Sequence, residues 1–184
     1  MRRVGGTLFL VLFLGGICFA QVPSGNVFVG YSYLNADTNT TSRASLNGFE
    51  ASVEKKIFPF VGLVGDFSGH YGTELSNQFM NPGGGGFLST QAKLHSVLLG
   101  PRVSVSVHGV RPFAHVLVGG AWLSQSNGGS SVNDASFATA VGGGVDCKLM
   151  KFAGLRVQGD LLHTQLFGNT QNNVRISTGL VFHF

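Results

Sequence analysis

Apolar and polar side chains alternate along most of this chain of 184 residues. The C-terminal stretch VRISTGLVFHF shows the pattern clearly, because one set of alternate positions reads Val, Ile, Thr, Leu, Phe, Phe and the other reads Arg, Ser, Gly, Val, His. Successive side chains of a β-strand point to opposite faces of the sheet. This period of two therefore predicts a strand with one apolar and one polar face.

Seven further stretches, between residues 26 and 161, alternate in the same way. The stretch from Pro112 to Leu123 is apolar on both faces, and there we place Val116, Val118 and Trp122 on one face and His115 on the other. Segments of about ten residues with this alternation are typical of membrane β-barrels. The predicted fold is all-β, an eight-stranded antiparallel up-and-down transmembrane β-barrel.

The N-terminus has the features of an export signal. Arg2 and Arg3 precede the apolar run from Leu8 to Phe19, and Cys18-Phe19-Ala20 ends it before Gln21. A basic segment, a short apolar segment and a small-x-small site are typical of a cleaved secretory signal peptide. The run is shorter than the roughly 20 residues of a membrane-spanning helix. We expect a signal peptide at residues 1–20 and one barrel domain at residues 21–184.

Composition restricts the function of the exported part. Without Arg2 and Arg3 the formal net charge falls from +4 to +2, which does not indicate a nucleic-acid partner. Only Cys147 remains among the cysteines, so an intramolecular disulfide is excluded. No spaced set of His, Cys and Asp predicts a metal site, and we expect no cofactor.

Polar connections are predicted to be long at one end of the barrel and short at the other. The polar connections at the first end cover 35–43, 72–90, 124–134 and 167–173, of which the first three are long, and such loops are extracellular in outer-membrane barrels. In this topology all three tyrosines and the single tryptophan form an outer aromatic girdle, and six phenylalanines lie at the periplasmic rim. The girdle residues are Tyr31, Tyr33, Tyr71 and Trp122; the phenylalanines are Phe58, Phe60, Phe113, Phe152, Phe182 and Phe184.

Charged residues fall on the face that would line the lumen. The interior of an eight-stranded barrel is just wide enough to be filled by side chains, and buried charges of both signs are expected to pair. With Glu54, the predicted lumen polar network comprises Glu50, Asp66, Arg102, Asp146, Lys148, Arg156, Asp160 and Arg175.

Two short segments resemble parts of bacterial outer-membrane β-barrel proteins: Leu98-Leu99-Gly100-Pro101-Arg102-Val103 and Pro112-Phe113-Ala114-His115. The whole pattern is similar to that of the small eight-stranded barrels, such as the transmembrane domain of outer-membrane protein A. The C-terminal strand also resembles the signal that the outer-membrane assembly machinery recognises, at Val174, Ile176, Leu180, Phe182 and Phe184.

This resemblance implies a monomer in the bacterial outer membrane that contacts its lipid and the assembly machinery. The resemblance says more about fold than about activity. From the residues we predict a non-enzymatic role, either structural or in binding an extracellular ligand at the surface loops, with a lumen that paired charges fill and without a large pore.

Two alternative functions remain for this sequence, an enzyme and a soluble binding protein. A lipid A-modifying enzyme similar to the deacylases would use a histidine at the outer rim. The candidates are His163 beside Thr164-Gln165 and His70 with Glu74 and Ser76, although the His-x-Ser-Asn motif of the deacylases is missing. A secreted lipocalin-like binding protein would need the apolar face inside the barrel.

The signal-peptide assignment predicts the N-terminus of the mature protein. Mass spectrometry of protein purified from cell envelopes is expected to find Gln21 as its first residue, because cleavage follows Ala20. Protein that retains Met1 would contradict the assignment.

Overall fold

The computed structural model describes residues 25–37, 43–76, 88–127, 130–166 and 169–184. The predicted signal peptide and the glycine-rich run Pro82–Gly86 lie outside these residues. In the described ranges no helix is long and apolar enough to cross a membrane.

Eight antiparallel strands form one closed barrel in which each strand pairs with its neighbours in sequence. Strand β8 pairs back with β1, so the predicted fold class is confirmed. The strands are β1 Gly25–Asp37, β2 Arg43–Lys56, β3 Val61–Ser76, β4 Leu88–Ser104, β5 Val110–Asn127, β6 Ser130–Lys148, β7 Ala153–Leu166 and β8 Asn169–His183.

The seam between β1 and β8 closes the sheet. Its register runs from Asn26 opposite His183 to Asn35 opposite Val174. At the end of the seam, the amide of Gly25 donates to the carbonyl of Phe184 at 2.9 Å, and the amide of Phe184 donates to the carbonyl of Gly25 at 3.1 Å. We call the end of the barrel that contains Gly25 and Phe184 the inner end, and the opposite end the outer end.

The two faces of the sheet follow the predicted alternation. Val116, Val118 and Trp122 are about half exposed, whereas His115, on the opposite face of the strand, is buried. On β8, Ile176, Leu180 and Phe182 face outward, as does Phe184 directly after it, and Arg175 and Ser177 are buried in the lumen. The exterior is therefore apolar and the interior contains most of the charge.

The connections differ from the prediction at the outer end. Residues 124–134 were expected to form a long loop and residues 167–173 a polar connection, but β5 continues to Asn127 before β6 starts at Ser130, and β7 continues to Leu166 before β8 starts at Asn169. The strands have 13 to 19 residues, whereas about 9–11 are enough to span a membrane. The surplus is polar because paired strands that project into water do not need an apolar face.

Short turns join the strands at the inner end, at residues 57–60, 105–109 and 149–152. Between β4 and β5, Val107 and Val110 exchange backbone hydrogen bonds of 2.8 and 3.0 Å around His108 and Gly109. Both central residues have positive φ, 49° and 85°. Two-residue hairpins favour such turns because their twist matches that of the strands.

Replacing a glycine on the closing seam should destabilise the barrel. A Cβ at Gly179 would overlap the backbone of Gly30 on β1, whereas a Cβ at Gly159 has no neighbour closer than the carbonyl oxygen of Arg175 at 4.0 Å. We expect Gly179→Val to lower the free energy of unfolding by about 2 kcal/mol or more. Gly159→Val should change it by less than about 0.5 kcal/mol.

Urea unfolding of the refolded variants in lipid vesicles measures both values. Equal stability of the two variants would contradict the register of the seam.

Candidate functional site in the barrel lumen

Eight charged side chains are buried in the lumen, each no more than 3% exposed. They project from the inward positions of β2, β3, β4, β6, β7 and β8. An isolated buried charge would carry a large desolvation cost, so each of these groups needs partners. The carboxylates are Glu50, Glu54, Asp66, Asp146 and Asp160, and the guanidinium groups are Arg102, Arg156 and Arg175.

Arg175 is the centre of the first group of ion pairs. Its Nε and Nη2 donate to Oδ2 of Asp160 at 2.9 and 2.7 Å, and its Nη1 donates to Oδ1 of Asp66 at 2.9 Å. Its Nε lies 3.6 Å from Oε2 of Glu50. Register explains the contact with Asp160, because the two residues lie opposite each other on β7 and β8. Arg175 thus links β8 to β7, β3 and β2.

Arg156 forms a second ion pair, nearer the inner end. Its Nε and Nη2 donate to the two carboxylate oxygens of Asp146 at 2.6 and 2.9 Å. Its guanidinium carbon lies 4.7 Å from the ring centre of Phe113, and that of Arg102 lies 4.2 Å from the same centre. Phe113 was predicted to lie at the periplasmic rim, but it is buried, because its inward position places the ring beside two cations.

Glu54 lies close to three cationic side chains at the inner mouth, the opening of the lumen at the inner end. It accepts from Nη2 of Arg111 at 2.7 Å and from Nη1 of Arg102 at 3.4 Å, while Nζ of Lys56 lies 3.9 Å away. The sequence analysis did not include Arg111 and Lys56, because both lie at strand ends. There parity, the alternation of inward and outward positions along a strand, does not by itself fix which way a long side chain bends. With them, five cationic side chains stand against the five lumen carboxylates.

His115 joins the two regions. Its Nδ1 lies 3.1 Å from Nη2 of Arg102, and its Nε2 lies 2.7 Å from Oδ1 of Asp160. On the other side of Arg175, Ser177 donates to Glu50 and to Ser32. Hydrogen-bonded side chains therefore continue from the inner mouth to the middle of the lumen.

Lys148 does not belong to this network. It was predicted to be inside because it shares the parity of Asp146, but it is exposed. Lys148 is the last residue of β6, opposite Gly154. At that position the barrel wall ends, so an inward parity no longer leads to a buried side chain.

An apolar layer occupies much of the remaining lumen, mostly toward the outer ends of the strands. The sequence analysis missed it because it interpreted the interior as a network of polar and charged residues, although these leucines, alanines and Val64 share the inward parity. Its members are Leu34, Leu46, Val64, Ala92, Leu94, Leu98, Leu117, Ala121, Leu123, Ala138, Ala140 and Leu162.

The predicted girdle residues all lie near the outer end of the barrel, on β1, β3 and β5, and face outward. Tyr31, Tyr71 and Trp122 are 52, 43 and 49% exposed, and Tyr33 is half-buried. The three tyrosine hydroxyls contact side chains on neighbouring strands: Tyr31 donates to Asn47, Tyr33 lies 2.7 Å from Ser45, and Tyr71 lies 3.0 Å from His95.

One buried serine–histidine pair has the distance needed for nucleophilic catalysis. Oγ of Ser32 lies 2.8 Å from Nε2 of His70, but the residues are 0 and 1% exposed, so no substrate reaches them. His163 instead faces outward and contacts Asn172 at 2.8 Å. The side chains of Glu74 and Ser76 lie outside the described residues. In the part of the chain that the structure describes, no cluster of three His, Cys, Asp or Glu side chains could hold a metal ion.

Comparison with known proteins relates the chain to others through structure alone. No protein-family model matches it, and no curated protein has a matching sequence. Neisserial surface protein A has a similar structure, with a TM-score of 0.69, 14% identity and coverage of 88% of this chain and 99% of that one. The attachment invasion locus protein Ail of Yersinia pestis, in complex with the heparin analogue sucrose octasulfate, gives a TM-score of 0.64 and 14% identity, with coverage of 89 and 100%.

The outer membrane protease OmpT from Escherichia coli is also similar, with a TM-score of 0.52, 9% identity and coverage of 89 and 98%. The chain therefore has the fold of small bacterial outer-membrane barrels. An enzyme is among the proteins that resemble it, so the fold does not identify an activity.

Removing Arg175 should destabilise the barrel strongly. Arg175→Met leaves the buried carboxylates of Asp66 and Asp160 without their main cation, and breaking a buried ion pair from one side costs about 3–5 kcal/mol. Lys148→Met is the matched control, because this lysine is exposed, and it should change stability by less than about 0.5 kcal/mol.

Urea unfolding in vesicles gives the difference between the two variants. If both were as stable as the unaltered protein, the buried network would not hold the strands together.

Proposed function

We propose that this chain is a structural protein of the bacterial outer membrane, whose barrel is filled by its own side chains and has no catalytic activity. The observation that carries the proposal is the division of the closed sheet into an apolar exterior and a charged, paired interior. In this proposal residues 1–20 direct export and residues 21–184 form the membrane domain.

The exterior supports a position within a membrane. From Val61 to Tyr71 the outward positions of β3 change from apolar residues to the aromatic girdle. At about 3.3 Å per residue and a tilt of about 40°, these ten steps cover about 25 Å. That distance equals the height of the apolar band on outer-membrane barrels.

The contents of the lumen favour a closed barrel. Paired charges occupy the inner half, and the apolar layer occupies much of the outer half. An ion that enters from the inner mouth would have to displace ion pairs and then cross a layer of leucines and alanines. Eight strands leave no space beyond that which these side chains fill.

A non-enzymatic role is favoured over the deacylase-like alternative because the Ser32–His70 pair is enclosed in the lumen. A lipocalin-like pocket would require an apolar interior along the whole barrel and a polar exterior. The outward face instead exposes side chains such as Val97, Leu99 and Phe137, which are 48, 54 and 64% exposed.

The partners of the barrel follow from its surfaces. The exterior contacts outer-membrane lipid. The assembly machinery recognises the outward residues of β8 and the terminal residue that follows it: Val174, Ile176, Leu180, Phe182 and Phe184. The barrel works as a monomer. Its projecting outer strands can meet an extracellular ligand, an idea supported by the structure of Ail with a heparin analogue.

Conductance through planar bilayers tests the closed lumen. The refolded protein should show no stable single-channel steps, because its ion pairs and apolar layer occupy the path. Vesicles from the same preparation, dissolved without heating and run on an SDS gel, establish that the barrel is folded. Large, stable openings from a folded barrel would contradict the proposal.

A further inference from the structure

A cluster of polar and aromatic side chains faces outward near the outer end of β3 to β6. We call it the rim patch and define it by Tyr71, Lys93, His95, Trp122, Ser124 and Asn133. Strand register places them side by side: Lys93 lies opposite Tyr71 and Ser124, His95 lies opposite Trp122, and Ser124 lies opposite Asn133.

Two glycines let the rings of the rim patch lie against the barrel wall. A Cβ at Gly120 would be 3.4 Å from the Cη2 atom of Trp122, and a Cβ at Gly69 would be 3.2 Å from Cδ2 of His95. The hydroxyl of Tyr71 holds His95 at 3.0 Å, and their rings meet edge to face. Trp122 thus lies close to the wall at Gly120, and half of its surface stays exposed and available to a ligand.

Two shallow depressions flank these rings. One, of about 340 Å³, is lined by His95, Trp122, Ser124, Asn133 and Asp134 among others. The other, of about 360 Å³, is lined by Tyr71, Gln91 and Lys93. The first combines an indole ring with hydroxyl and amide groups, which suit a sugar. The second combines a cation with a phenol and an amide, which suit a phosphate.

The charge of the rim patch also favours an anion. Lys93 is exposed on the outward face. Asp134, which follows Asn133, is half-buried on the inward parity, and its Oδ1 accepts from the amide of Ala135 at 2.9 Å. Its parity is thus opposite to that of Lys93.

The patch lies where the apolar exterior ends. Toward the inner end of the same strands, Phe67, Val97 and Val118 are 42, 48 and 47% exposed. Beyond the patch the outward residues of the same strands are polar, as at Gln91 and Ser126. A ligand with a polar head and acyl chains would therefore place its head on the patch and its chains along the wall.

From these observations we infer that the rim patch binds the phosphorylated sugar headgroup of a glycolipid in the outer leaflet. Lys93 pairs with the phosphate, Trp122 stacks on the sugar ring, and Ser124, Asn133 and His95 contact its hydroxyls. The inference rests on the membrane position proposed above, and it assigns the barrel a specific lipid ligand.

Trp122 is the only tryptophan of the chain, so its fluorescence reports on the patch directly. The mature protein is refolded in neutral detergent micelles and titrated with a phosphorylated lipid A-type glycolipid. Parallel titrations use the dephosphorylated glycolipid, phosphatidylglycerol and phosphatidylcholine. A saturable shift in emission is expected at lower concentrations of the phosphorylated glycolipid than of the other three.

Lys93→Gln should weaken this response about tenfold, because it removes a charge-assisted contact with the phosphate. Lys55→Gln is the matched control: Lys55 is also exposed, but it lies at the inner end of β2, and the response should not change. Asn133→Ala should weaken binding of both glycolipids and leave phosphatidylglycerol unaffected.

Equal responses to all four lipids, or an unchanged response in Lys93→Gln, would overturn the inference. So would phosphatidylglycerol binding as tightly as the phosphorylated glycolipid. Each variant is first run unheated on an SDS gel, so that only folded barrels are titrated. A folded barrel that does not respond overturns the glycolipid site and leaves the structural role standing, whereas a chain that is a soluble monomer without detergent contradicts that role itself.

Discussion

Closure of the sheet is the constraint from which the rest of this structure follows. In hydrocarbon an unpaired backbone N–H or C=O costs several kcal/mol, so a sheet there has no free edge. Pairing of β8 with β1 meets this demand, and the reciprocal hydrogen bonds of Gly25 and Phe184 complete it at the inner end. Once the sheet is closed, alternate residues of every strand face either the lipid or the lumen. The outward side chains are then apolar, and the charged side chains inside need partners.

The lumen then determines which charges are tolerated. Eight strands enclose a space that side chains fill, and the charged groups inside it are paired across the barrel. Arg175 links four strands, and His115 connects its partner Asp160 to Arg102 near the inner mouth. The apolar layer continues the filling toward the outer end. With the lumen filled in this way, the proposed role leaves the outward surface and the outer end for contact with lipid and other partners.

Alternation was enough to predict the strand number, the two faces and the buried positions of Arg102, Arg156 and Arg175. It failed where a residue's surroundings depend on more than parity. Lys148 has the inward parity but lies where the wall ends, and the polar tips of β5 to β8 looked like loops although they continue to pair. Phe113 was assigned to a rim by its residue type, whereas its ring contacts two guanidinium groups. The rim patch could not be found from the sequence, because its residues come from four strands and only register brings them together.

Heat-modifiability on SDS gels tests the closed barrel most directly. The mature chain is refolded in detergent, and one half of each sample is boiled before electrophoresis. A closed sheet stabilised by buried ion pairs should resist SDS and migrate differently until it is boiled. Identical mobility of both halves, together with a soluble monomer obtained without detergent, would mean that the apolar face is not on the outside, and it would contradict the membrane barrel.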